Sequence, residues 1–311
     1  MPNYKKSPSE TERDRFLGCL LGLAVGDALG TTLEFRSRGS FEPITDMIGG
    51  GPFLLEAGQW TDDTSMALCL ATSLLEKNGF DAKDQMERYD LWFRQGYMSS
   101  TGTCFDIGNT VKAALKRFEK TTDPFAGATD AWSAGNGSIM RLAPVPMYYY
   151  PNEEEAARLA AKSSRTTHAA PECLDACRLF SRIIVHALAG EGKNHVLQIK
   201  ATNFTDSAKI AAIGKGDYRD KDESAIRGSG YVVESLEAAL WCFYHTDTYE
   251  TAVLKAANLG DDADTTAAIC GQVAGAYYGM SGIPEHWLKL LTNRVEITEL
   301  AESLHLANGV H

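Results

Sequence analysis

The chain has 311 residues, of which 44% are hydrophobic and 9% aromatic, and it carries a formal net charge of −11 at pH 7. The length suits one large domain or two small ones, and the hydrophobic share is typical of a globular protein with a sizeable core. The acidic balance argues against direct binding to nucleic acid or to an anionic membrane, because like charges repel.

The N-terminal part of the chain predicts a tail, a helix and a loop. Residues 1–12 are polar and contain no hydrophobic signal region, so they predict a tail. A helix is predicted from about Glu12, and its apolar stretch, residues 16–25, is too short to span a bilayer. Residues 26–50 are rich in glycine and turn-forming residues and predict a loop that carries Glu34.

The remainder of the chain shows helical periodicity, with no convincing alternation of period two and no repeat or linker. The sequence therefore predicts an all-α protein of about ten or more helices, with a single domain over residues 13–311. Helices are expected from Trp60 to a stop at Asn78-Gly79, and at 84–95, 106–116, 140–149, 153–162, 171–189, 231–244, 249–259, 265–278 and 283–306, with a more polar, partly irregular segment at 206–226.

The seven cysteines form no C-x-x-C pair. Cys173 and Cys177 are four residues apart, which places them on one face of a helix and favours core packing. Such a set is typical of reduced thiols, so we expect a cytoplasmic protein.

Two acidic clusters precede predicted helices. Thr61-Asp62-Asp63-Thr64 stands before the apolar run 66–75, and Asp261-Asp262-Ala263-Asp264-Thr265 stands before the run 267–278. Helix capping explains one such side chain at each start, because Asp and Thr accept hydrogen bonds from free N–H groups. Either cluster alone is open to that interpretation.

Together the clusters indicate a metal site. They contain more carboxylates than two caps need, and the second helix is so apolar that its end is expected to be buried. Asp262 and Asp264 would diverge in mid-helix but can converge in a first turn. Oxygen ligands without a Cys/His set suit Mg²⁺ or Mn²⁺ rather than structural zinc. A bound ion would also supply the positive charge that an anionic substrate needs in so acidic a protein.

Other candidate residues have an ordinary structural explanation when each is taken alone. Residues 133–138 form a glycine loop that could cradle a phosphate, although turn formation explains it as well. Asp106 and Asn109 stand at a predicted helix start, where either could be a cap. A lone His168 is usually structural, and a carboxylate such as Glu34 usually lies at the surface.

These segments taken together resemble the ADP-ribosylglycohydrolase family, and most closely its bacterial dinitrogenase reductase-activating glycohydrolases. They occur in the family's order over most of the chain, and no expected metal ligand is missing. The polar tail is the one departure. The matching segments are Gly22-Leu23-Ala24-Val25-Gly26-Asp27-Ala28-Leu29-Gly30, Trp60-Thr61-Asp62-Asp63-Thr64, Phe105-Asp106-Ile107-Gly108-Asn109, Gly135-Asn136-Gly137-Ser138-Ile139-Met140-Arg141, Thr167-His168 and Gly260-Asp261-Asp262-Ala263-Asp264-Thr265.

The resemblance implies a compact orthogonal multi-helix all-α fold with a centre of two Mg²⁺ or Mn²⁺ ions. Glu34 would lie on a mobile loop near the metals, and either Glu34 or Asp63 would accept a proton in catalysis. Carried over by position, the metal ligands would be Thr61, Asp62, Asp63, Asp262, Asp264 and Thr265. The residues in contact with ADP-ribose would be Asp106, Asn109, Gly135, Asn136, Gly137 and His168, with Tyr231 lining the site.

The resemblance also implies the reaction, which is hydrolysis of a glycosidic bond to ADP-ribose through an oxocarbenium-like transition state. The nitrogenase-regulating branch favours mono-ADP-ribose on an arginine of a modified protein as the substrate. Two alternatives stay open. The chain could hydrolyse another linkage, such as serine-linked or O-acetyl-ADP-ribose. It could also be an immunity-type protein that neutralises an ADP-ribosyltransferase toxin by binding as well as by hydrolysis.

Overall fold

The computed structural model describes residues 8–200 and 205–307, and these residues contain fourteen α-helices and no β-strand. The predicted all-α fold is confirmed. The helices are α1 (Pro8–Gly30), α2 (Asp62–Glu76), α3 (Ala82–Gln95), α4 (Asn109–Thr121), α5 (Pro144–Tyr149), α6 (Glu153–Ser164), α7 (Pro171–Leu188), α8 (Lys193–Val196), α9 (Ala208–Lys215), α10 (Val232–Tyr244), α11 (Tyr249–Ala257), α12 (Ala263–Tyr278), α13 (Glu285–Leu290) and α14 (Arg294–Ala307).

Helices α1 and α12 form the centre of the fold and run antiparallel with their backbones in direct contact. A β-carbon added to Gly26 would lie only 2.2 Å from the carbonyl oxygen of Ala267, and one added to Gly18 would lie 2.3 Å from that of Gly275. Larger residues on α1 would therefore force the two helices apart. The contact stripe consists of Gly18, Gly22, Gly26 and Gly30 on α1 and of Ala263, Ala267, Gly271 and Gly275 on α12.

The N-terminus of α1 corrects the predicted tail. The helix begins at Pro8, so residues 8–12 are helical, while residues 1–7 lie outside the described residues. Proline is readily accommodated in the first turn of a helix. Glu12 also has tertiary contacts, since the hydroxyl of Tyr150 donates to its Oε2 at 3.3 Å and His305 Nε2 lies 3.3 Å from its Oε1.

The C-terminus of α1 corrects the predicted loop. The helix continues to Gly30, and a 3-10 turn follows at Thr31–Leu33, because the glycine stripe packs on α12 only while the chain stays helical. The apolar segment Glu10–Leu33 is therefore longer than predicted, and it contains an 18-residue window with a mean hydropathy of 1.6, which is long and apolar enough to cross a membrane. Since 94% of that window is buried inside the protein, it is accounted for as a core helix.

Further boundaries differ from the sequence prediction. Helix α5 begins at Pro144, not at 140, and α4 ends at Thr121, not at 116. Helix α4 begins at Asn109, not at 106, and the residue at its N-cap is Gly108, so neither Asp106 nor Asn109 caps it. The predicted helix 283–306 is divided into α13 and α14, with Asn293 between them in a left-handed conformation (φ 55°). The expected core packing of Cys173 and Cys177 on α7 is confirmed, because both side chains are fully buried.

Candidate active site

The two acidic clusters meet where the N-termini of α2 and α12 lie beside the C-terminal end of α1. Thr61 Oγ1 lies 3.2 Å from Asp264 Oδ2 and 3.4 Å from Asp63 Oδ2, although Thr61 and Asp264 are 203 residues apart. Thr265 Oγ1 completes the junction at 3.4 Å from Asp63 Oδ2. The clusters therefore form one site, which we call the acidic cluster.

Capping does not explain these residues. Thr61 and Asp262 occupy the N-cap positions of α2 and α12, yet neither side chain makes a capping hydrogen bond. The N-terminus of α2 is instead satisfied by Asp27 of α1, whose Oδ2 accepts from the backbone N–H of Thr64 at 3.0 Å. Helix capping therefore does not occupy the carboxylates of the cluster, and they remain available to bind a ligand.

Asp27 is a site residue to which the sequence analysis gave no role. Its Oδ1 accepts from the N–H and the hydroxyl of Thr61, both at 2.9 Å, and its Oδ2 accepts from the hydroxyl of Thr64 at 2.6 Å as well as from the N–H. The available signal was a single carboxylate in the apolar run 16–29, since a charged residue in a buried helix needs partners. Asp27 positions Thr61 and the first turn of α2.

The acidic cluster fits a bound cation. Carboxylate oxygens of Asp27, Asp63 and Asp264 lie within 4.8 Å of one another, and so do those of Glu34, Asp106 and Asp264. The side chains of Asp63 and Asp264 are at most 1% exposed, yet within the described ranges one oxygen of each has no hydrogen-bond partner. Unpaired buried carboxylate oxygens are costly, and a cation that accepts their lone pairs removes that cost. Asp264 belongs to both groups of carboxylates and can therefore serve two ions.

The electrostatics of the acidic cluster lead to the same conclusion. Burial raises the pKa of Asp62, Asp63 and Asp264 well above the ordinary value, and neighbouring carboxylates raise it further. Without a cation the cluster therefore retains protons at pH values where exposed carboxylates are ionised. A divalent cation would favour the ionised forms.

Glu34 lies at the edge of the acidic cluster, directly after the 3-10 turn that ends α1. Its side chain is buried, and burial, followed by the charges of Asp106 and Asp262, raises its pKa to about 10. Burial, followed by the charges of Asp27 and Asp262, raises the pKa of Asp106 to about 7. The backbone that follows Glu34 is anchored to the second cluster, since Phe35 N–H donates to the carbonyl of Asp261 at 2.7 Å.

The glycine loop, residues 133–138, is joined to the acidic cluster through Asn136. Its side-chain amide donates to Asp262 Oδ2 at 2.8 Å, and its backbone N–H donates to the carbonyl of Gly230. Gly137 is required by a close approach, because a β-carbon there would lie 2.7 Å from Cε1 of His168. The loop therefore places its backbone directly against His168.

His168 is held by a buried arginine. Arg141 donates to the hydroxyl of Thr167 at 2.7 Å, and that hydroxyl lies 2.9 Å from Nδ1 of His168. The Thr167 hydroxyl accepts from Arg141 and can donate its own proton to Nδ1, an arrangement that leaves the ring proton of His168 on Nε2, toward the glycine loop. Burial and then Arg141 lower the pKa of His168 to about 3, so the ring is neutral. The sequence analysis gave Arg141 no role.

A cavity of about 490 Å³ brings together most of the residues proposed from the sequence. Thr61 and Asp63 do not line it, because they are completely buried behind it. Tyr231 lines an adjoining cavity of about 860 Å³ and is 2.7 Å from Lys209 Nζ. The proposed residues that line the first cavity are Glu34, Asp62, Asp106, Asn109, Gly135, Asn136, Gly137, His168, Asp262, Asp264 and Thr265.

Known proteins resemble this chain over most of its length. The ADP-ribosylglycohydrolase family profile matches residues 8–311, a range that includes every residue of the site. The ADP-ribosylarginine hydrolase Tri1 of Serratia proteamaculans (strain 568) is 41% identical over 96% of this chain and 80% of its own. The ADP-ribosyl-[dinitrogen reductase] glycohydrolase of Rhodospirillum rubrum is 34% identical over 91% of this chain and 92% of its own. A solved structure titled ADP-ribosylglycohydrolase-related protein complex is 42% identical, with a TM-score of 0.85, and the match covers 95% of this chain and 98% of that chain.

Proposed function

The chain belongs to the ADP-ribosylglycohydrolase family, and we propose that it removes mono-ADP-ribose from arginine side chains of modified proteins. The observation that carries this proposal is the similarity to an ADP-ribosylarginine hydrolase at 41% identity over 96% of the chain. The cavity supports it, because an acidic cluster and a glycine loop face each other across a space large enough for a nucleotide-sized ligand. The substrate is accordingly a protein that carries ADP-ribose.

We infer that the acidic cluster holds two divalent cations, Mg²⁺ or Mn²⁺. The unpaired oxygens of Asp63 and Asp264 and the membership of Asp264 in both carboxylate groups support this inference. When bound, the ions would supply positive charge and Lewis acidity to the cavity. The side chains that would hold them are Thr61, Asp62, Asp63, Asp262, Asp264 and Thr265.

The reaction breaks the bond between the anomeric carbon and the guanidine nitrogen and forms a bond from a water oxygen to that carbon. One proton leaves the water and one reaches the departing nitrogen, so a side chain that exchanges protons is needed. Glu34 and Asp63 each have an oxygen without a partner among the described residues, but only Glu34 lines the cavity. This position favours Glu34 over Asp63 as the proton acceptor, once bound cations have ionised a carboxyl group whose pKa is about 10 without them.

The other half of the cavity suits the diphosphate of ADP-ribose. Nε2–H of the neutral His168 can donate a hydrogen bond without adding a charge that titrates near neutral pH. Asn109 and Thr110 line the same cavity at the N-terminus of α4, where free N–H groups and the helix dipole favour an anion. Oriented dipoles thus supply a local positive potential in a chain whose formal net charge is −11.

Linkage specificity tests the proposal. The protein, saturated with Mg²⁺ or Mn²⁺, is incubated with proteins that carry arginine-linked or serine-linked mono-ADP-ribose and with O-acetyl-ADP-ribose, and ADP-ribose release is measured. We expect the highest kcat/KM for the arginine linkage. Equal or faster release from the serine linkage or from O-acetyl-ADP-ribose would contradict the proposed substrate and leave the family assignment intact.

A further inference from the structure

Two histidines and a glutamate converge at the end of α7, away from the acidic cluster. One ligand atom each from His186, Glu191 and His195 lies within 4.8 Å of the other two. His186 stands in the last turn of α7, Glu191 in the turn that follows Gly190, and His195 in α8. The turn is fixed by its backbone, since Gly190 has a left-handed conformation (φ 77°) and the N–H of Glu191 donates to the carbonyl of His186.

The spacing of these side chains suits a tetrahedral ion. Glu191 Oε2 lies 3.5 Å from His195 Nε2 and 2.6 Å from His186 Nδ1. Ligand atoms of a tetrahedral zinc ion lie roughly 3.3–3.5 Å apart, given bonds of about 2.0–2.2 Å. The 3.5 Å pair already has this separation. The 2.6 Å pair is a hydrogen bond, so His186 Nδ1 and Glu191 Oε2 must move apart by roughly 0.8 Å when an ion replaces the proton between them.

A second layer of charged groups orients His186. Glu153 Oε2 lies 3.5 Å from Nε2, on the opposite edge of the ring from Glu191. A carboxylate at that position can accept the ring proton on Nε2 once an ion replaces the proton that Nδ1 shares with Glu191. Glu153 is in turn held by an ion pair with Arg182 of α7. Zinc-ligating histidines commonly show this pattern, in which the other ring nitrogen donates to a carboxylate.

We propose that His186, Glu191 and His195 form a second metal site, for Zn²⁺ or a divalent ion of similar ligand preference such as Ni²⁺ or Cu²⁺. Two imidazoles and one carboxylate are ligands that these ions accept and that Mg²⁺ disfavours. The side chain of His195 is 72% exposed, so an ion from solution can reach the site and keep a water as its fourth ligand.

The site lies at the opposite end of α7 from the glycine loop. The first turn of α7 contacts that loop, because Cys173 Sγ lies 3.3 Å from the carbonyl of Gly135. His186 is about 20 Å further along the helix, at 1.5 Å per residue. An ion there would tie α7 to α8 and stabilise the folded state without touching the acidic cluster.

Zinc titration of the Mg²⁺-saturated protein tests the proposal. Excess Mg²⁺ occupies the acidic cluster, and Zn²⁺ binding is followed by calorimetry, while Co²⁺ binding is followed by its visible absorption spectrum. We expect one strong Zn²⁺ site per chain, a raised Tm, and a tetrahedral Co²⁺ spectrum. The variants His195→Ala and Glu191→Gln should each weaken Zn²⁺ binding at least tenfold, and both should retain hydrolysis of ADP-ribosylarginine.

The controls separate this site from others. His286→Ala removes another exposed histidine that lies beside a carboxylate, Asp46, and should leave Zn²⁺ binding unchanged. Asp264→Asn alters the acidic cluster and should also leave it unchanged. The proposal is overturned if His195→Ala binds Zn²⁺ as tightly as the parent protein, if the parent binds none, or if Asp264→Asn abolishes the binding. Because His195 is exposed, its replacement is not expected to impair folding.

Discussion

The side-chain amide of Asn136 donates a 2.8 Å hydrogen bond to Asp262 Oδ2 and so connects the glycine loop to the acidic cluster. The two residues are 126 positions apart in sequence. The backbone of Asn136 is fixed as well, because its N–H donates to the carbonyl of Gly230. This hydrogen bond therefore links the part of the cavity proposed for the diphosphate to the part proposed for the metals.

Replacing Asn136 by alanine should weaken metal binding at the acidic cluster, because Asp262 loses the hydrogen bond that orients it. A hydrogen bond to a charged group contributes about 1.5–3 kcal/mol when buried. Asp262 is partly exposed, so we expect about a tenfold loss of Mn²⁺ affinity, which corresponds to about 1.4 kcal/mol. Mn²⁺ titration by calorimetry measures the loss. Ser133→Ala on the exposed side of the same loop is the matched control, and equal Mn²⁺ affinity in all three proteins would show that the hydrogen bond does not orient Asp262.

Replacing Glu34 by glutamine should reduce turnover without unfolding the protein. The amide keeps the shape of the side chain but cannot accept a proton, and general acid–base catalysis contributes about 10²–10⁴-fold. We expect a fall in kcat of that order, with Tm unchanged or raised, because a buried acid whose pKa is shifted to about 10 is replaced by a neutral group. Glu56→Gln, at an exposed glutamate, should behave like the parent. A Glu34→Gln protein with parental kcat would assign the proton transfer to another residue.

The stability of the metal-free protein should fall as pH rises. Carboxyl groups in unfolded chains have pKa values near 4, whereas in the folded protein Asp106 is raised to about 7 and Glu34 to about 10. The folded state therefore binds more protons, so this contribution is fully present below about pH 4 and is lost as pH rises through about 7 and then about 10. Saturating Mg²⁺ should flatten the dependence, because the ions favour the ionised carboxylates.

Thermal unfolding in chelator and in Mg²⁺, from pH 5 to pH 9, measures this difference. The Tm in chelator should decline across the range more steeply than the Tm in Mg²⁺. Asp106→Asn should reduce the decline in chelator between pH 5 and pH 8. If both curves have the same slope, the carboxylates of the cluster do not retain protons in the metal-free protein.

Metal binding should stabilise the folded protein. A ligand that binds only the folded state contributes about 2.7 kcal/mol at a hundred times its Kd. For a chain of this length that contribution should raise Tm by several degrees, and excess chelator should reverse the change. Asp264→Asn should lose most of the Mg²⁺-dependent rise, and its metal-free Tm should equal or exceed that of the parent because a buried acid with a raised pKa is replaced by a neutral amide. A Tm that does not respond to Mg²⁺ or Mn²⁺ would argue against the ions.

Part of the site was predictable because its residues repeat a recognisable pattern. Two acidic clusters before two apolar helices predicted that Asp63 and Asp264 would meet, and the structure brings them together. Asp27 was missed because its partners, Thr61 and Thr64, are 34 and 37 residues away and no local pattern indicates them. The grouping of His186 with His195 depends on the turn between α7 and α8, which helical periodicity does not specify.

The errors in the predicted helix boundaries arise mainly from tertiary contacts that the local sequence does not indicate. Residues 26–33 contain glycine and threonine, which favour loops locally, yet α12 supplies the contact that keeps Gly26 and Gly30 helical. The start of α1 was placed too late because the apolar pattern begins only at Phe16, whereas the polar Glu12 is fixed by α14 and by Tyr150. The break at Asn293 is a backbone feature for which the apolar pattern gave no signal.

The proposed function depends most directly on metal-dependent hydrolysis at the acidic cluster. The decisive measurement is ADP-ribose release from an arginine-modified protein as Mn²⁺ is added back to chelator-treated enzyme, with Asp264→Asn in parallel. We predict no release in chelator, recovery with Mn²⁺ in the parent, and little recovery in Asp264→Asn at any Mn²⁺ concentration. Release by the parent in excess chelator at the rate seen with Mn²⁺, or full activity of Asp264→Asn, would contradict the account.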